Sequence, residues 1–316
     1  DGDERVFRFL TGSVSDDTVS RIEVPFLVIP QTLTVREPFI TSSITVDGKT
    51  GKNISVLPGS TVQGTVRWEN NLSEPLSNVE LMLAFAGPAL EKNSINSSNG
   101  FYQSSNSTII WTREQNSSLE SIPPGEGGTA QFSFSTQPPG AGGVLVTNPT
   151  IDLSLSVRGM RGSGSAPEIV SSASAARVVL SSAPEVAAEA KYITGPFLNS
   201  GPLPPRAETE TTYTIIWTVK NPTNALANTV LSADLPPYVK FVSAQAGAGI
   251  VYDDGSRTVR WNAGDLKAGV GYTLPVRQAA FQVALSPSTS QVGSAPNLTG
   301  EMRLFGQDRF AQVGVN

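Results

Sequence analysis

Apolar and polar residues alternate with a period of two through most of the chain, and this pattern predicts β-strands. In the first half the alternating stretches are residues 61–68, 78–85, 108–112, 130–135, 151–157 and 176–180. In the second half they are 211–220, 226–235, 238–243, 257–262, 279–285 and 298–305. Val79, Leu81, Leu83 and Phe85 share one face of their strand, with Glu80 on the other; Tyr213, Ile215, Trp217 and Val219 share a face of theirs. No stretch holds a helical period over three turns. Residues 183–191 have helix-friendly composition. Their place ahead of Gly195-Pro-Phe197 matches that of 32–35 ahead of Pro38-Phe39, so an extended strand is expected there.

Residues 251–261 read as a hairpin whose Asp254-Gly255 turn tolerates positive φ. They have an echo 150 positions earlier: Tyr102, Thr108 and Trp111 fall on Tyr252, Thr258 and Trp261. At the same spacing Asn71, Leu76, Asn78 and Leu81 fall on Asn221, Leu226, Asn228 and Leu231, while Phe85 meets Leu235 and Ile109 meets Val259. Trp68 and Trp217 are 149 apart, which implies one residue gained or lost just before the asparagines, as a β-bulge accommodates. A repeat of fixed period decides architecture. The expected organisation is two full units, 37–181 and 182–316, after a third, truncated copy in 1–36. In that copy 6–9, 22–28 and 32–35 read as strands, and Val6-Phe-Arg-Phe9 matches Gln131-Phe-Ser-Phe134 and Ala280-Phe-Gln-Val283. The alternative is an N-terminal hairpin belonging to the next unit. Regular strands, turn clusters and two inward tryptophans per unit predict an all-β fold of tandem Ig-like β-sandwich domains in an extended arrangement.

Composition narrows the chemistry. With 316 residues the chain has room for two domains and part of a third, each able to bury a core. It has no cysteine, which excludes disulfides, thiolate zinc sites and cysteine catalysis, and no histidine, the commonest general base and transition-metal ligand. Net charge is −5 with no Lys/Arg run, which argues against nucleic acid and anionic membranes as partners. No apolar run reaches the roughly 18–20 residues of a membrane helix. A start at Asp1 without Met reads as a processed part of a longer protein.

The second unit carries Tyr213-Thr-Ile-Ile-Trp-Thr-Val-Lys-Asn221, Asn228-Thr-Val-Leu-Ser-Ala-Asp-Leu-Pro-Pro237, Val239-Lys-Phe-Val-Ser243 and Val259-Arg-Trp-Asn-Ala-Gly-Asp-Leu-Lys-Ala-Gly269. This order resembles the Ig-like conserved-repeat domains of prokaryotic surface proteins. The first unit departs from it, with Ala86-Gly-Pro88 in place of Leu-Pro-Pro and extra residues between Trp111 and Pro123-Pro-Gly125. Gly195-Pro-Phe197, residues 231–239 and the Asp308-Arg-Phe310 ending are similar to membrane-anchored surface proteins of candidate-phyla bacteria. The resemblance implies tandem Ig-like domains outside the cell, attached to its surface, and no activity.

Four kinds of site compete with ordinary turn and surface chemistry. A serine hydrolase lacks its Gly-x-Ser-x-Gly elbow, since Gly162-Ser-Gly-Ser165 sits in a Gly/Ser loop, and would need lysine as base. The acidic doublets Asp16-Asp17 and Asp253-Asp254 lack the further oxygens of a calcium loop. Lys220 beside Asn221 could form an isopeptide link but points away from the core by alternation. Asn53, Asn71, Asn96, Asn106, Asn116 and Asn297 stand in Asn-x-Ser/Thr sequons, three of them in a Ser/Asn-rich segment, 93–118, expected as an exposed excursion. The expected function is a non-enzymatic extracellular stalk or spacer, possessing no cofactor or metal and meeting neighbouring repeats or, head-to-tail, other copies. The alternative is an adhesin or carbohydrate-binding module meeting a host-cell or surface ligand through Phe101, Tyr102 and Tyr238. The apolar strands in 1–36 need a partner sheet, supplied upstream or by a neighbouring molecule; the repeat favours the first.

Overall fold

The computed structural model describes residues 3–13, 22, 24–35, 38–162 and 168–316. Asp16-Asp17 and the Gly/Ser loop at 163–165 lie outside them. An N-terminal hairpin pairs β1 (Asp3–Ser13) with β2 (Val24–Val35). The next eleven strands are β3 (Ile40–Val46), β4 (Asn53–Val56), β5 (Thr61–Asn70), β6 (Leu76–Ala86), β7 (Leu90–Ser97), β8 (Phe101–Gln103), β9 (Thr108–Trp111), β10 (Ser121–Ile122), β11 (Gly127–Thr136), β12 (Thr150–Arg161) and β13 (Glu168–Leu180). The last nine are β14 (Glu185–Lys191), β15 (Thr211–Lys220), β16 (Leu226–Asp234), β17 (Val239–Ala244), β18 (Ile250–Asp253), β19 (Thr258–Leu266), β20 (Arg277–Leu285), β21 (Arg303–Asp308) and β22 (Gly314–Val315).

These build two Ig-like β-sandwiches. In the first, sheet β3-β5-β11-β7 faces sheet β8-β9-β6-β12-β13-β4; in the second, β14-β15-β20-β17 faces β18-β19-β16-β21-β22. The two orders correspond from β8 to β13, with β22 in the place of β13; β4 and β10 have no counterpart among the described residues of the second sandwich. Residues matched at a spacing of 150 share a register. Leu81 lies opposite Trp111 as Leu231 lies opposite Trp261, and Tyr102 lies opposite Ile109 as Tyr252 lies opposite Val259. Period-two alternation buries one face of each strand, and all four tryptophans are buried. The two cores share no residue.

Several details differ from the sequence reading. No bulge precedes the asparagines: β5 pairs β11 and β3 without a register break. Asn70, not Asn71, is the counterpart of Asn221. Asn70 N donates to Glu126 O and accepts Gly125 N at its carbonyl, as Asn221 does with Val270 O and Gly269 N. Counting back two residues, Trp68 then stands where Val219 does. Each tryptophan has moved to where its cross-strand partner is small: Gly128 for Trp68, Ala279 for Trp217. A Cβ on Gly128 would lie 2.6 Å from the Trp68 ring. The register breaks fall instead beside Asn78 and Asn228, whose φ angles are 50° and 52°.

The hairpin turn also works differently. Its positive φ is at Arg257 (54°), matched by Ser107 (52°) in the echo, and not at Asp254-Gly255. Both are four-residue loops. Segment 93–118 is no excursion. Strand β7 starts ahead of it and pairs with β11, with Leu90 and Ile95 buried, Asn93 and Asn96 exposed, and Ser97 Oγ accepting from the buried Trp111 Nε1. At the N-terminus, 24–28 and 32–35 belong to one strand, β2, through Pro30. That makes β1–β2 a hairpin like β12–β13, whereas β11 pairs with β5 and β7; the likeness of Val6–Phe9 to β11 is one of apolar spacing alone. Residues 185–191 are extended, since β14 gains a full ladder with β15.

Separate cores predict separate unfolding. Leu81→Ala is expected to cost about 2–5 kcal/mol and to lower one of two calorimetric transitions while leaving the other in place. A single transition that shifts as a whole would contradict this.

Candidate functional site at the joint

Strand β13 ends at Leu180 and β14 starts at Glu185, so four residues connect the sandwiches. They are not free. Ser181 belongs to the first sandwich: its N–H donates to Val56 O at 2.9 Å and its hydroxyl to the same oxygen at 3.3 Å. Ser182 belongs to the second: its N–H donates to Asp308 Oδ2 at 2.7 Å and its hydroxyl to Asn221 Oδ1 at 2.5 Å. Both serines are buried. Custody of the chain passes from one body to the next between two consecutive residues.

Asp308 anchors the far side. It ends β21, on the same face as the buried Leu304, and is fully buried. A buried carboxylate is costly unless hydrogen-bonded. Here Oδ2 accepts from Ser182 N and from Asn224 Nδ2 (2.8 Å), and Oδ1 from Phe310 N and Ala311 N (2.8 Å each). Charge-assisted bonds of this kind are about twice as strong as neutral ones. Asn224 Nδ2 also donates to Leu180 O at 2.8 Å, so one amide bridges the last residue of β13 and the carboxylate. Asn221 holds that loop in turn, through Nδ2 to Asn224 O (2.6 Å) and Lys267 O (3.2 Å). Asn70 does the same for the first sandwich, donating to Glu74 O and Ile122 O.

A second clamp lies at the surface. Tyr272 donates from its hydroxyl to Glu185 Oε1 at 2.6 Å, fixing the first residue of β14 to the 269–274 loop. Lys220 Nζ is 3.8 Å from Glu185 Oε2 and 5.8 Å from the centre of the Tyr272 ring. Burial, and then the bond to Glu185 and its charge, push the Tyr272 hydroxyl up to about 12.

The residues singled out from sequence lie elsewhere. Phe101 and Tyr102 are on edge strand β8, and Tyr238 precedes β17 in the other sandwich. Phe101 is exposed, while Tyr102 packs on the first core and donates to Lys92 O, and Tyr238 packs on the second. Asn53, Asn96, Asn106 and Asn297 are exposed. Asn71 uses Nδ2, the atom a glycan would take, on Pro38 O and Thr41 Oγ1, and Asn116 caps a 3₁₀ turn by accepting from Ser118 N. Asp253 caps the hairpin turn; the Ser256 side chain and the N–H groups of Ser256 and Gly255 hold its carboxyl below the usual carboxylate range. Lys220 is outside the core. Among the described residues no acidic cluster converges for a metal, and no helix is long and apolar enough to cross a membrane. Sequence reasoning missed the roles of Ser182, Asn224 and Asp308. The available signal was an acid on the apolar face of a strand.

No protein-family model and no curated protein matches the chain. Among solved structures it is similar to the C-terminal domain of the AgI/II polypeptide BspA of Streptococcus agalactiae, at 14% identity and TM-score 0.33, over 78% of this chain and 92% of that one. It is also similar to the C-terminal domain of the antigen I/II-family protein AspA of Streptococcus pyogenes, at 13% identity and TM-score 0.30, over 88% and 98%. A third likeness is to AggA, major subunit of aggregative adherence fimbriae type I of Escherichia coli, at 10% identity and TM-score 0.27, over 45% and 95%. These scores carry no functional argument.

Two outcomes follow from the joint. Asp308→Ala leaves four donors short of an acceptor and is expected to cost about 3 kcal/mol or more in chemical denaturation; a loss under about 0.5 kcal/mol, as at an ordinary surface site, would show that the carboxylate holds nothing. The Tyr272 hydroxyl is stabilised neutral, so its contribution is complete below the ordinary tyrosine range near pH 10 and is lost as pH rises through about 12. Urea unfolding of Tyr272→Phe across that window is expected to show a flatter alkaline decline than the parent; equal slopes would contradict it.

Proposed function

We propose that the chain is a non-enzymatic structural protein of a bacterial cell surface, acting outside the cell as a stiff stalk or spacer of tandem Ig-like repeats. The observation that carries this reading is the joint. Default linkers between domains are exposed and few contacts cross them. Here Ser181 and Ser182 are buried in succession on opposite bodies, and Asn224 spans the two. A spacer has to transmit direction, and a joint without slack does so. The surface location is supported by the resemblance of residues 213–269 to conserved-repeat domains of prokaryotic surface proteins. The non-enzymatic reading is supported by a chain with no histidine or cysteine.

Small-angle scattering tests the stalk. One conformation is expected to fit the curve of the parent, and Asp308→Ala is expected to need an ensemble of inter-unit angles. A parent curve that itself needs a broad ensemble, or a compact particle with the units packed side by side, would overturn the reading.

A further inference from the structure

Strand β7 lies in one sheet of the first sandwich and β8 in the other, and the chain crosses between them at Ser98-Asn99-Gly100. Asn99-Gly100 is the only Asn-Gly pair in the sequence. Such pairs ordinarily mark a type I′ turn, whose two central residues need positive φ. Here neither residue has one. The glycine is there for room: a Cβ at Gly100 would lie 2.6 Å from Trp111 Nε1 and 2.7 Å from Ile109 Cγ2. The second sandwich has Gly249-Ile250 at the same place, so the pair belongs to the first alone.

Asparagine followed by glycine has a chemistry of its own, one reason asparagine counts as thermolabile. The backbone nitrogen of the next residue attacks the side-chain carbonyl and closes a succinimide ring, and a side chain on that next residue obstructs the approach. Both partners are free here. Asn99 is exposed; among the described residues its side chain makes no hydrogen bond, and the Gly100 N–H donates to no carbonyl. The other exposed candidates are hindered. Asn93 and Asn96 lie within β7, and a serine follows each. Asn106 donates to Gln103 and Asn116 accepts from Ser118, and a serine follows each of these as well.

We propose that Asn99-Gly100 is a site of spontaneous deamidation that loosens the β7–β8 edge of the first sandwich. The deprotonated Gly100 nitrogen attacks Asn99 Cγ, the Cγ–Nδ2 bond breaks, and the leaving nitrogen takes up a proton and departs as ammonia. Water then opens the ring, at the side-chain carbonyl to give aspartate or at the backbone carbonyl to give isoaspartate. Either product carries a new carboxylate. Isoaspartate also routes the backbone through Cβ, which adds a methylene to the chain ahead of Gly100. Gly100 then loses its place against the Trp111 ring, and the bond from Trp111 Nε1 to Ser97 Oγ (3.2 Å) is pulled with it. The same edge carries the exposed Phe101, so the change reaches a candidate contact surface. The inference stands whether or not the chain works at a cell surface.

Incubating the full chain, folded and in urea, and mapping its peptides by mass spectrometry tests this. In the folded chain Asn99 is expected to convert to isoaspartate and aspartate, faster in mildly alkaline than in neutral buffer, while the Asn-Ser pairs stay intact. The isoaspartyl fraction is expected to show a lowered calorimetric transition for the first sandwich, the one that Leu81→Ala lowers, with the other unchanged. Asn99→Asp brings the charge without the added methylene and is expected to melt like the parent. Asn99→Gln is expected to keep both transitions through the incubation. Asn99 left intact in the folded chain, under conditions that convert it in urea, would overturn the proposal. So would an isoaspartyl chain whose first-sandwich transition matches that of the parent.

Discussion

The arrangement of the molecule depends on one buried carboxylate. Asp308 is fully buried, so its carboxyl group needs partners for both oxygens, and four donors supply them. Two of them, Phe310 N and Ala311 N, are local and shape the turn after β21. The other two, Ser182 N and Asn224 Nδ2, come from the linker and from the loop that holds Leu180 O. A charge that must be satisfied from several segments couples them: moving the linker strands the charge, and moving the charge strands the linker. Apolar packing alone would be more forgiving of a sliding interface.

The two sandwiches solve the same position differently. Strand pairing places Arg161 where Asp308 stands, opposite Leu76 as Asp308 is opposite Leu226. Arg161 is partly exposed, pairs with Glu74 at 2.8 Å and lies over the Phe39 ring. Exposed pairs of this kind contribute little. Equal strand order thus coexists with unequal chemistry at matching positions of the two sandwiches.

Much of the fold was legible because β-strands write themselves in period two and because the repeat doubled every signal. Leu81, Trp111, Leu231 and Trp261 could be aligned from sequence, and their registers agree. What misled was identity where geometry mattered. Asn71 matches Asn221 by spacing, but the inner face of β5 runs through Val66, Trp68 and Asn70, so parity selects Asn70. Short strands such as β4 and β10 escape a sequence reading since two to four residues cannot show a period. The joint was illegible for another reason: Ser182, Asn224 and Asp308 lie up to 126 positions apart, and no local pattern marks polar residues that meet only after folding.

The central claim is that the linker is held as firmly as a core strand. Hydrogen exchange at the Ser182 amide tests it most directly. A buried N–H bonded to Asp308 is expected to exchange only through opening of the joint, with protection comparable to the ladder amides of β15. Exchange near the rate of an unstructured peptide, with β15 still protected, would show a loose linker and contradict the account.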